Sequence, residues 1–146
     1  MTRLDYETLI IGQWKQICPD GANCKNDAPV LAVRYVSGSL RITQAIGNNQ
    51  RTSLFVETNE FRGRWLDFRF QIRFTPSQDG RIKARLNNRQ VVDYSGTTAN
   101  PEDATTGYPT PGRFYFKMGL YRNVMPGPTT IYIDEYRKKE LPSGAF

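Results

Sequence analysis

The chain reads as an all-β protein, an antiparallel sandwich or jelly roll. Three observations carry that expectation. Several segments alternate apolar and polar residues strictly, no stretch sustains a helical period, and turn dipeptides or Gly- and Pro-containing loops separate the segments. About eight or nine short strands joined in this way are expected to stack as two layers. With 146 residues and no repeat, linker or charge block, a single domain is expected over 1–146.

The first strand signal is LIIGQWKQ (9–16), an apolar run that stops at the turn-rich loop CPDGANC (18–24). Plain alternation puts Ile10 and Trp14 on one side, with Gln13 and Lys15 on the other. Cys18 and Cys24 leave two alternatives, a local disulfide or a pair of free thiols. A metal site is weakly supported, because two thiols have no histidine to complete them. Next, PVLAVRYV (29–36) and SLRITQAI (39–46) flank Ser37-Gly38 and read as a hairpin, and TSLFVE (52–57) follows as a short strand.

A long strand is expected from Arg64 to Phe74. Phe68, Phe70, Ile72 and Phe74 point one way, and Asp67, Arg69, Gln71 and Arg73 the other. After the loop TPSQDG (75–80), RIKARL (81–86), Asn87-Asn88 and RQVVDY (89–94) form a second hairpin. Pairing across the TPSQDG loop would gather Arg69, Arg73, Arg81, Lys83 and Arg85 on one face. Such a face is either a groove for a polyanion or a solvated surface whose repulsion is screened by salt. Residues 95–112 are rich in Gly, Pro and Thr and read as a long surface loop, of the kind that is functional or mobile. RFYFKMGLYR (113–122) then alternates again. Phe114, Phe116, Met118 and Leu120 face the core side, and Arg113, Tyr115, Lys117 and Tyr121 the other. A Pro-Gly-Pro loop (126–128) and TTIYIDEYRKKE (129–140), read as the last strand, complete the chain.

Charge narrows the function. The net charge is +6, with a sequence pI near 9.5, and most of the cations are arginine. That balance favours an anionic partner, whether nucleic acid, an anionic membrane surface or an acidic polysaccharide. Histidine is absent, which removes the commonest general base and metal ligand together with every Ser-His or Cys-His arrangement. No apolar run approaches the roughly 18 residues of a membrane-spanning helix. The start, MTRLDYETLIIGQWK, lacks the apolar length and cleavage site of a signal peptide, so the chain as given is not expected to be exported.

Three ordered blocks resemble a known family. QWKQ with the following PVLAVRYVSGSLRI is similar to the Gln-Trp-His segment and hairpin of heparin lyase I-like and glucuronan lyase-like polysaccharide lyases. GRWLDFRFQIRF with DGRIKARLNNRQVVDYSG resembles their central strand block. RFYFKMGLYR with TTIYIDEYR resembles their closing Tyr-x-Lys-x-Gly-x-Tyr-Arg strand and final Asp-containing strand. The likeness runs from about Ile10 to Lys138. It implies a β-jelly roll of the concanavalin-like sandwich type, and β-elimination on uronate-containing polysaccharides.

The resemblance also assigns roles. Gln13 matches the glutamine that neutralises the substrate carboxylate, and Tyr121 matches the catalytic tyrosine. Lys117 shares the Tyr121 face, with Tyr115 and Arg113 as further substrate contacts. Arg122 is a candidate only if the strand bends. Arg69, Arg73, Arg81, Lys83 and Arg85 are candidates for extended glycan contacts, unless they lie on the opposite sheet. No metal and no cofactor enter this reading. Two departures qualify it. The family's histidine is Lys15 here, which can hold a carboxylate but is a poor base while charged. Family members also carry a further N-terminal segment, so the chain is expected to be the C-terminal portion of a lyase lacking N-terminal strands. Members are secreted or periplasmic. The competing reading is a non-catalytic or degenerate module that binds acidic glycans. Nucleic acid is the least favoured partner, since exposed stacking aromatics and a recognised motif are missing. No oligomeric state is read from the chain.

Overall fold

A computed structural model describes residues 8–25, 28–47, 50–59, 61–122, 127–142 and 144–146. Among them are eight strands and no helix: β1 (Thr8–Gln16), β2 (Leu31–Val36), β3 (Ser39–Ala45), β4 (Arg51–Glu57), β5 (Phe68–Arg73), β6 (Arg81–Leu86), β7 (Arg89–Ser95) and β8 (Phe114–Arg122). All pairings are antiparallel. Five strands form one sheet in the order β4, β3, β2, β1, β8, and three form the other in the order β5, β6, β7. The chain is an antiparallel β-sandwich of the jelly-roll class, as its alternation predicts.

Both expected hairpins form, and their turn chemistry shows why. Ser37 and Gly38 have φ of 47° and 82°, while Asn87 and Asn88 have 48° and 67°. Two consecutive positive φ values make the primed turn whose twist suits a two-residue hairpin, and Gly and Asn tolerate that region best. The turns fix the registers Val36 opposite Ser39 and Leu86 opposite Arg89. Inward residues of the two sheets then meet. Leu31 and Ile42 pack with Ile82, Ala84 and Val92, and Val33 and Leu40 pack with Leu86. Trp14 closes the β1 end, its ring 4.7 Å from Phe70 and 4.5 Å from Phe116.

Four expectations need correction. The strand expected from Arg64 is pleated only over Phe68–Arg73, because the Arg64 amide turns back to the Phe61 carbonyl at 3.2 Å. The segment 129–140 forms no strand. Glu135 adopts a φ of 53°, which breaks the extended alternation, and Tyr136 stacks on Phe116 at 5.3 Å instead. Ile10 and Trp14 do not share a side, because the register of β1 against β2 shifts between Ile10 and Gly12. The loop 95–112 is not wholly superficial, since Thr98, Ala99, Asn100 and Tyr108 are buried. Side chains of the strands satisfy its backbone. Gln16 exchanges hydrogen bonds with Asn100, and Gln44 Nε2 donates to the Thr97 carbonyl at 2.8 Å. Residues 1–7 and Pro126 of the Pro-Gly-Pro loop lie outside the described residues.

Cys18 and Cys24 form a disulfide, with Cα atoms 5.8 Å apart. The bridged loop docks on the turn at 103–107, where the Lys25 amide donates to the Thr106 carbonyl at 2.9 Å. That turn is held by Asp103, whose carboxylate accepts from the Thr105 hydroxyl at 2.7 Å and from the Thr105 and Thr106 amides at 2.8 Å each. The Thr105 hydroxyl first, and then the amides, hold the Asp103 carboxyl below its usual range. A lowered folded value means stability that is present at neutral pH and lost as pH falls through it. Asp103→Asn is therefore expected to lower the melting temperature at neutral pH, with the gap to wild type closing in acid. A gap independent of pH would contradict the assignment.

Candidate functional site

Five of the candidate residues, Gln13, Lys15, Tyr115, Lys117 and Tyr121, come together where β1 meets β8. Directly opposed residues of antiparallel strands share a face. Trp14 opposite Phe116 faces the core, so Gln13 opposite Lys117 and Lys15 opposite Tyr115 face outward. Gln13 is nonetheless only 9% exposed. The Lys117 ammonium sits 5.2 Å from the centroid of the Tyr115 ring, a cation–π contact.

The register of β1 against β8 also shifts between Ile10 and Gly12, across from Gly119, whose φ of 146° an L side chain rarely adopts. Beyond this irregularity Tyr121 lies opposite Ile10 on the same outer face, with 67% of its surface exposed. Two rows then cross the sheet from β8 to β4. One runs Lys117, Gln13, Ala32, Thr43, Ser53; the other runs Tyr121, Ile10, Arg34, Arg41, Val56. Neither row carries a carboxylate.

Arg34 belongs to this face, although it is not among the candidates named from the sequence or from the family resemblance. It is 3% exposed, and its Nε donates to the Thr43 hydroxyl at 3.0 Å. Burial, and then the nearby charge of Arg51, lower its pKa to about 10. It therefore stays charged at neutral pH, and the fold carries the cost of that burial. Arg41, directly opposite, has a buried Nε with no hydrogen-bond partner.

The other candidates lie elsewhere. Arg69 stands opposite Arg85, Gln71 opposite Lys83, and Arg73 opposite Arg81. These five cations do share one face, but it is the outer face of the three-stranded sheet, on the far side of the sandwich from Tyr121. One groove cannot hold both sets, because two stacked sheets are about 10 Å apart. Two of the cations form ion pairs, with Arg69 3.1 Å from Asp67 and Arg81 3.0 Å from Asp93. Gln71 donates to the Ala145 carbonyl at 2.7 Å, and Arg73 lies over the Phe146 ring at 5.2 Å. Arg122 is opposite Leu9, whose side faces the core, and donates to the Gly127 carbonyl at 3.4 Å, so it is not beside Tyr121. Arg113 precedes β8 and is exposed, and its carbonyl accepts from the Ile17 amide at 2.8 Å. Among the described residues no three His, Cys, Asp or Glu side chains gather as a metal site, and no helix is long and apolar enough to cross a membrane.

A family model described as polysaccharide lyase matches residues 3–137. The chain belongs to the polysaccharide lyase family. No curated protein and no solved structure matches it. A polysaccharide is the partner that the family suggests. A signal for Arg34 and Arg41 is present in the sequence of this lyase-family chain: each is a lone cation inside an apolar strand, PVLAVRYV and SLRITQAI.

Proposed function

We propose that the chain cleaves an acidic, uronate-containing polysaccharide by β-elimination, in the manner of heparin lyase I-like and glucuronan lyase-like enzymes. The observation that carries this is the outer face of the five-stranded sheet. Tyr121, Lys117 and Gln13 stand there in adjacent rows, on a surface whose rows hold cations and no carboxylate. The proton at C5 of a uronate is weakly acidic, so its carboxylate must first be neutralised. Gln13 donates a hydrogen bond to it, and Lys15 supplies positive charge. Tyr121 acts as the base that removes the C5 proton, the electron pair forms the C4–C5 double bond, and the bond from C4 to the glycosidic oxygen breaks. The same tyrosine, now protonated, returns a proton to that oxygen. Lys117 and Tyr115 line the path of the chain. Such substrates lie outside the cytoplasm, so the reading carries a secreted or periplasmic location.

The absence of histidine favours one other reading, a module that binds acidic glycans without cleaving them. Glucuronan, heparin and alginate, followed by ultraviolet absorbance of the unsaturated uronate, separate the two. Rising absorbance with at least one polymer is the expected result. Measurable binding without product from any of them would select the binding module.

A further inference from the structure

Arg34 and Arg41 face each other at the centre of the five-stranded sheet, and nothing in the elimination chemistry uses them. Like charges in directly opposed positions repel. The arrangement is worse than a surface pair, because Arg34 is almost fully buried and Arg51 adds a third positive charge nearby. Among the described residues no carboxylate pairs with either side chain, and Arg41 Nε is buried without a hydrogen-bond partner. A buried donor left without a partner has a cost that an incoming acceptor removes. Arginines at directly opposed positions carry planar donor forks suited to an oxyanion.

We propose that Arg34 and Arg41 form an anion subsite that holds a second acidic group of the polysaccharide, a carboxylate or a sulfate ester. Arg34 lies two strands from Tyr121 in the same row, about 10 Å across the sheet. The subsite thus engages a sugar beyond the one being cleaved, and it selects polymers whose charge recurs along the chain. Naming a polysaccharide rests on the lyase reading; the oxyanion site rests on the arginines themselves.

The test is calorimetric titration of the full chain with glucuronan, which carries only carboxylates, with heparin, which also carries sulfates, and with neutral dextran. Arg41→Gln and Arg34→Gln are compared with the exposed Arg64→Gln as a charge-matched control. Arg41→Gln is expected to weaken binding of an acidic polymer at least tenfold, and Arg64→Gln less than twofold, with no dextran binding by any protein. Tighter binding of glucuronan than heparin marks a carboxylate site, and the reverse order marks a sulfate site. The melting temperature of Arg41→Gln should hold or rise, because the opposed charges are relieved. A lower melting temperature with unchanged Kd makes the pair structural and overturns the subsite, and Arg41→Gln decides this even where Arg34→Gln fails to fold. Product formation with unchanged KM and Kd in Arg41→Gln removes the subsite and leaves the lyase reading intact. Arg41-dependent binding without product in the wild type does the opposite.

Discussion

Tyr121→Phe is expected to lower kcat for unsaturated product by roughly 10²–10⁴-fold, the usual contribution of a positioned proton carrier. The substitution removes one hydroxyl and keeps the ring. Tyr121 is exposed on the edge strand β8, so neither the core nor the sheet order depends on it. Melting temperature and polymer Kd should therefore stay close to wild type while product formation falls. That split identifies loss of chemistry rather than loss of fold. Tyr115→Phe is the matched control. It keeps the ring beneath the Lys117 ammonium and should change kcat only slightly. Product formation that survives Tyr121→Phe would show that the proton travels through another group.

Gly80→Ala is expected to destabilise the fold by about 3 kcal/mol, the upper range for forcing a methyl group into a filled core. An added Cβ would press on the Gly96 carbonyl oxygen and lie 2.6 Å from the Thr98 hydroxyl oxygen. Neither can retreat cheaply. The Gly96 amide donates to the Gly80 carbonyl at 3.0 Å. The Thr98 hydroxyl donates to the Arg73 carbonyl at 2.7 Å while accepting from the Thr75 amide at 2.8 Å. Shifting Thr98 would free backbone groups at the end of β5 and loosen the loop that plugs this end of the sandwich. Urea unfolding of the variant measures the loss. Gly63→Ala provides contrast: its Cβ would meet open space, leaving only the cost of a φ of 74°. Equal stability of Gly80→Ala and wild type would mean that the loop is not packed against β6.

Much of the fold and part of the site are legible in the order of residues. Alternation, apolar runs and turn signals together locate all eight strands, and the two-residue turns at Ser37-Gly38 and Asn87-Asn88 set their hairpins in register. Counting outward from Ser37-Gly38 already places Arg34 opposite Arg41. What that count lacks is burial, which turns two ordinary arginines into a costly pair. The segment 129–140 shows the opposite failure: TTIYIDEYR alternates well enough for a strand but forms no ladder.

Residue order by itself determined which side chains share a strand face, because successive residues of a pleated chain must point to opposite sides. It thereby put Tyr121 with Lys117, and Gln13 with Lys15. Only the tertiary structure decided which strands lie side by side. It set β8 against β1 across roughly 100 residues of chain, placed the five cations of β5 and β6 on the other sheet, and turned Ile10 to the side of Gln13 through an irregular register. The reason is physical. Alternation is local, whereas sheet order follows from which distant apolar faces can be buried together, and no short stretch of sequence records that choice.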